Sequence, residues 1–342
     1  MTVTLTDASA SEPDVAREVR QRRGPGDQIF RGTLRAGGVV VLLIMLAVGA
    51  FLLYRATEAF DIMGWRFLTT ADWSPGRTRA DASNFGVLAM LTGTVLIALV
   101  ALCVAVPLAT GTALYIAEYA PPRFQRALIS TVDLMAAVPS IIYGLWGAFL
   151  FTGQVVPVAK WISTYLGWIP LLSVPKADLA DPLSPEVVYT SSSFIAGIVV
   201  AMMVAPIVCS IMREVFSQAP AGEREAAYAL GAAKWGMIRS VVFPFGRGGM
   251  IGGTMLGLGR ALGETIAVYM TISIVFQVQP HILQVGSGSV SAMIAQRFGA
   301  EGPLGISALF AAGLVLFVMT LIVNFLASMI VARSRSGASS EV

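Results

Sequence analysis

Six apolar runs, each long enough to cross a bilayer, set the limits on what this chain can become. They are Gly37–Tyr54, Phe85–Tyr115, Leu128–Phe151, Phe194–Met212, Gly248–Phe276 and Leu304–Val331. A helix of about 20 residues spans the hydrocarbon core. Within it every backbone N–H and C=O must find its partner inside the protein, so runs of this kind are expected as helices. Composition agrees, at 56% hydrophobic and 13% charged residues with a mean hydropathy of +0.75. The expectation is an all-α integral membrane protein with six transmembrane helices. Pro107, Pro139 and Pro206 fall inside three of the runs and should kink them, because proline removes a helical hydrogen bond.

An even number of spans puts both termini on one side. If that side is the inner one, it holds Arg17, Arg20, Arg22, Arg23, Arg31 and Arg35 of the tail, with Arg123 and Arg126 after the second run. Arg213, Arg224, Lys234, Arg239 and Arg247 between the fourth and fifth runs join them, as do Arg333 and Arg335. The outer side holds only Arg55, Arg66, Arg77, Arg79, Lys160, Lys176 and Arg297. Positive charge gathers on the cytoplasmic side of membrane proteins, so the segment between runs four and five should face the cytoplasm. Residues 1–35 then read as a cytoplasmic tail and 36–84 as the first transmembrane helix with an outer loop. Residues 85–333 form a core with five transmembrane helices, and 334–342 a second cytoplasmic tail. The polar start is too long, and too poor in a small-residue cleavage site, for a removed signal peptide; the first run reads as an anchor. Val155–Leu172 is also fairly apolar, but Pro157, Lys160 and Pro170 interrupt it. Its Trp161, Tyr165 and Trp168 suit an interfacial helix on the outer face. The polar stretch Ser173–Ser193 reads as an outer loop, either a docking surface or a plain connector.

Several functions drop out on residue content. The net charge of +3 is spread without a basic stripe, so nucleic acid is not an expected partner. Cys103 and Cys209 both lie inside apolar runs and His281 is the single histidine, which leaves no pattern for a disulfide framework or a metal site. None of the three lysines, Lys160, Lys176 and Lys234, completes a Gly-Lys-Ser/Thr phosphate loop. The chain is therefore expected to be no enzyme and to carry no cofactor or P-loop ATP site of its own.

Between runs four and five the segment Glu225–Pro244 reads EAAYALGAAKWGMIRSVVFP. It is rich in alanine, a strong helix former, and Gly231 interrupts it. Tyr228, Trp235, Ile238 and Val242 recur at helical spacing. A short helix is expected, then a turn near Gly231 and Gly236, then a second helix ending at Pro244. Glu225 should lie early in the first helix, where a carboxylate interacts well with the helix dipole. Ala226 and Ala227 would let a partner surface approach closely. Bare residue chemistry allows either a coupling role or an amphipathic connector. The spacing resembles the EAA loop of ABC importer permeases, with Val241-x-Phe243-Pro244 in place of the usual Ile-x-Leu-Pro. In that family the loop docks on a cytoplasmic ATPase, so the resemblance implies coupling through Glu225, Ala226, Ala227, Gly231 and Pro244.

The fifth run, GGMIGGTMLGLGRALGETIAVYMTISIVF, has glycines four apart at Gly249, Gly253 and Gly257, as well as Gly248 with Gly252 and Gly259 with Gly263. Such a face lets another helix pack closely. Arg260 and Glu264 are also four apart and should share one helix face. Arg260 lies about 20 Å along the helix from Arg247, past the membrane midplane. A charge there needs a partner or a water-filled path. Either the two side chains satisfy each other and pin helices together, or Arg260 lines an anion route that Glu264 partly neutralises. Asp133, near the inner end of the third run, reads as a helix-end residue more readily than a transport one.

The stretches GLGRALGETIAV and Ala136–Gly147, AAVPSIIYGLWG, are similar to phosphate-importer permeases of the PstC type. That likeness covers most of the chain from Phe85 to Val331. It implies a type I ABC importer (MetI-like) permease fold, multi-pass in the bacterial inner membrane among its lipids, with both termini cytoplasmic. It further implies phosphate passage at Arg260 and Glu264, a homologous permease of the PstA type as partner, an ATPase dimer that binds the ATP, and an extracytoplasmic phosphate-binding protein. The alternative is a proton- or ion-coupled secondary anion transporter, with Arg260, Glu264 and Asp133 as a relay; it leaves the EAA segment unexplained.

Overall fold

Apolar helix formers dominate the chain, and residues 25–76, 83–175 and 188–335, which the computed structural model describes, are mostly helical. The early tail arginines (Arg17, Arg20, Arg22 and Arg23), Arg77, Arg79, Lys176, the middle of the expected outer loop and the end of the C-terminal tail lie outside the described residues. In order, the helices are α1 (Pro25–Met63), α2 (Arg66–Thr69), α3 (Leu88–Leu114), α4 (Pro122–Ala137), α5 (Ser140–Trp146), α6 (Thr152–Leu166) and α7 (Ser193–Ser217). They continue as α8 (Ala221–Ala229), α9 (Lys234–Met237), α10 (Phe243–Gly263), α11 (Ile266–Thr271), α12 (Val290–Arg297) and α13 (Pro303–Arg335). A two-residue ribbon pairs β1 (Trp73–Ser74) antiparallel with β2 (Asn84–Phe85), Trp73 opposite Phe85.

The chain divides into two compact units, Met1–Val48 and Gly49–Val342. The described part of the first is the opening of α1, whose Val39, Leu42 and Leu46 are exposed. In the second, α3 and α7 form the centre, burying Ala101, Ala105, Val200, Val204 and Val208. A second cluster joins Ala56, Ala59 and Met63 at the end of α1 to Leu304, Ala308 and Ala312 of α13. Ser307 ties these helices together, donating to the Arg55 carbonyl at 2.9 Å and accepting the Ala59 N–H at 3.2 Å.

The glycine face of α10 packs as its spacing predicts. A Cβ on Gly249 would come within 2.3 Å of Val215, and one on Gly257 within 2.8 Å of both Val204 and Val208. Gly253 faces Ile211, so the whole series lies on α7. Gly252 and Gly263 meet nothing within 4 Å, and Gly259 faces Asn324 of α13.

The expected count of six crossings is not reproduced by length and apolarity. Among the described residues four helices satisfy both, Pro25–Met63, Leu88–Tyr119, Ser193–Ser217 and Pro303–Val331, with a fifth if α4 and α5 count as one span. The third run is broken, bending by 88° between Ala137 and Ser140. Pro139 drives the break: it supplies no N–H and pushes Val138 to an extended ψ of 129°. Pro107 and Pro206, by contrast, sit inside unbroken α3 and α7. The fifth run also breaks, because α10 stops at Gly263 and Glu264 takes ψ 125°. α6 is amphipathic, burying Val155, Val156 and Ala159 while Trp161 and Tyr165 stay exposed, as does Trp168 just beyond its end.

Candidate functional site

The residues singled out in the sequence fall in two places, the segment around Gly231 and the end of α10. Helix α8 starts after Pro220, with Glu223 in its first turn. Glu225 is the fifth residue of the helix, so the dipole role expected of it falls to Glu223 instead. The helix closes as a Schellman motif: the Gly231 N–H donates to the Tyr228 carbonyl at 2.9 Å and the Ala232 N–H to the Ala227 carbonyl at 3.0 Å. That geometry needs a left-handed residue, and Gly231 supplies it at φ +82°.

Beyond the turn the chain departs from expectation. Gly236 lies within α9 rather than in a turn, and the second helix does not end at Pro244. Helix α9 passes through a π turn at Ile238–Val242 straight into α10, with Pro244 in the first turn of α10. A π turn shifts the hydrogen-bond ladder by one residue, and this accommodates a residue that has no N–H. Met237, Ile238 and Val242 are buried beneath, with Ala227 packed against the same core. The opposite face is open: Glu225, Ala226 and Ala229 are exposed, with Tyr228 and Trp235 exposed beside them and Leu230 at 89% exposure.

Residues that sequence spacing did not single out hold this segment to the membrane helices. Arg224 Nη1 lies 2.9 Å from Glu118 Oε1, and Nη2 donates to the Phe216 carbonyl at 2.6 Å. Lys234 donates to the Glu118 backbone carbonyl and stacks over the Tyr119 ring, 4.5 Å from its centre.

At the end of α10 the expected Arg260–Glu264 pair on one helix face is not present. Among the described residues the ion pairs are Arg31–Asp27, Arg224–Glu118 and Arg297–Glu301. Because the helix ends at Gly263, Glu264 leaves its face. It is buried, accepts the Ala267 N–H at 3.1 Å through Oε1, and so caps the first turn of α11. Its carbonyl accepts from Ser291 Oγ at 2.7 Å, tying α11 to α12. Arg260 is exposed in the last turn of α10, where a cation interacts well with the helix C-terminus. The Tyr143 hydroxyl donates to the Met135 carbonyl at 2.9 Å, holding the α4–α5 bend. Asp133 accepts from Ser210 Oγ at 2.9 Å and links α4 to α7. A relay through Arg260, Glu264 and Asp133 thus loses its middle member to a helix cap. Cys103 and Cys209 are free, and His281 is a loop residue beside Ser173 and the Pro170 carbonyl.

Membrane helices packed on glycine, with an exposed helical elbow at one end, are what an energy-coupled permease requires. The family model described as "Binding-protein-dependent transport system inner membrane component" matches residues 106–336, and the chain belongs to that family. Phosphate transport system permease protein PstC 2 of Mycobacterium tuberculosis is 38% identical over 311 residues, 91% of this chain and 93% of that protein. PstC of Xylella fastidiosa is 34% identical over 334 residues, 97% and 98% of the two chains. Among solved structures, a bacterial ABC transporter involved in import of the acidic polysaccharide alginate gives a TM-score of 0.51 at 17% identity. The match covers 90% of this chain and 98% of that one, and this likeness concerns the fold alone. Family membership supports an ABC importer permease over a secondary transporter.

Proposed function

We propose that this chain is the transmembrane subunit of an ATP-driven phosphate importer that works by alternating access and takes its work from a separate ATPase through Glu225–Pro244. The observation that carries the reading is the elbow at Gly231. Its Glu225–Leu230 face is open while its other face is fixed to the membrane core, in a chain whose near-full-length relatives are phosphate permeases. Glu225 and Ala226 present the docking surface, Ala227 seats the helix on the core beneath, Gly231 turns the chain, and Pro244 marks where the segment enters the membrane helix. A homologous permease of the PstA type completes the pathway, and an extracytoplasmic binding protein delivers phosphate.

In this reading α10 is a further crossing. Its 21 residues reach about 32 Å, enough to span the hydrocarbon core. Together with α1, α3, the bent α4–α5 pair, α7 and α13 it makes six, with the termini and the elbow cytoplasmic and α6 on the outer face. Arg260 is the phosphate contact. Guanidinium binds phosphate through paired, charge-assisted hydrogen bonds, and its exposure leaves those donors available. Glu264 acts at one remove, fixing the α10–α11 corner that sets where Arg260 points.

Glu225→Lys tests the coupling part. The ATPase is expected to be lost on purification of the assembled complex while the permease still inserts in the membrane. Full retention of the ATPase by that variant would contradict the assignment.

A further inference from the structure

The end of α3 opens into a π turn at Tyr115–Tyr119, and this turn places Glu118 beneath the elbow with its side chain only 5% exposed. Arg224, on the limb before Gly231, reaches the Glu118 carboxylate. Lys234, on the limb after Gly231, reaches the Glu118 backbone carbonyl. One residue therefore holds both limbs of the coupling segment. The same turn leads directly into α4, and Gln125 of α4 donates back to the Ile116 carbonyl at 3.1 Å. Through that turn the elbow is joined to α4, the helix that breaks at Pro139.

The Glu118–Arg224 contact is poorly arranged for stability alone. Glu118 Oε1 and Arg224 Nε are both buried without a hydrogen-bond partner, so the 2.9 Å approach is an ion pair and not an aligned hydrogen bond. Buried pairs with unmet groups often stabilise less than apolar residues would, and their best-attested use is to fix register. The register fixed here is that of the elbow on the ends of α3 and α7.

We propose that Glu118 is a positioning residue for energy coupling: it transmits movement of the elbow to α3 and α4 and so sets how much phosphate passes for each ATP hydrolysed. This rests on the coupling role proposed above. It is tested with the whole complex (this chain, its partner permease, the ATPase and the binding protein) in proteoliposomes, reading labelled phosphate taken up per ATP hydrolysed. Glu118→Gln is expected to lower that ratio roughly tenfold, within the range of coupling effects between sites. The ATPase should remain bound and active. Exchanging the charges, Glu118→Arg with Arg224→Glu, is expected to recover most of the ratio, which a generally damaged fold would not do. An unchanged ratio in Glu118→Gln, a swap no better than the single variant, or loss of the ATPase from Glu118→Gln each overturns the proposal. The two readings fail differently. An unmodified complex without ATP-driven uptake overturns the importer reading and this proposal with it, whereas an ATP-driven complex whose ratio survives Glu118→Gln overturns this proposal alone.

Discussion

Replacing Arg260 with glutamine is expected to cut phosphate uptake roughly tenfold to a hundredfold, the effect of losing one charge-assisted contact to the moving anion. The complex should purify intact, because Arg260 is exposed and, among the described residues, is in none of the ion pairs. Glu264 gives the contrasting result. Glu264→Gln keeps an oxygen that can accept the Ala267 N–H, so uptake should stay close to the unmodified level. Were Glu264 there to neutralise Arg260, removing its charge would change uptake as strongly as the arginine variant does. Labelled phosphate uptake by the two variants, side by side, separates these outcomes. Normal uptake by Arg260→Gln would assign the guanidinium a structural role.

The second large effect is expected at Gly93. A Cβ there would lie 2.0 Å from the Gly288 carbonyl oxygen, which is backbone and cannot rotate away as a side chain can. The neighbouring Thr94 hydroxyl accepts the Val290 N–H at 3.0 Å, and Ser193 donates to Ser287 at 2.7 Å. Gly93→Ala would push 287–290 off α3, leave the Val290 N–H unpaired and shift α12, whose Ser291 holds Glu264. Overpacking together with a buried unpaired donor should destabilise the protein by about 3 kcal/mol. A lower melting temperature and poor recovery of monodisperse protein in detergent would be the signs, and an unaltered melting temperature would show that the close approach is not required.

What could be read from the sequence, and what could not, follows from the range of each interaction. Helix–helix contact through Gly249, Gly253 and Gly257 is a local period, and it lies against α7 as that period implies. The turn at Gly231 is likewise local, since an alanine-rich helix followed by glycine is the pattern of a left-handed cap. Pro244 misled because proline usually ends a helix, whereas here a π turn absorbs it at the start of α10. Arg260 and Glu264 misled for the opposite reason: helical spacing runs on through a corner that nothing in the spacing announces. Pro139 signalled a kink, but not that Tyr143 and Met135 would hold the chain at 88°. Glu118 was invisible because its partner Arg224 is on another helix and has no periodic relation to it.

Together these contacts underlie the proposed lever. The elbow at Gly231 is exposed and Glu118 joins its two limbs to the end of α3, while Arg260 is, in the proposed reading, the phosphate contact. The most direct test is labelled phosphate uptake by the complete complex in proteoliposomes, with an ATPase partner that cannot hydrolyse ATP and, separately, with the proton gradient collapsed. The lever predicts that the inactive ATPase abolishes uptake and that loss of the gradient leaves it unchanged. Uptake that survives the inactive ATPase and stops when the gradient is collapsed would contradict it.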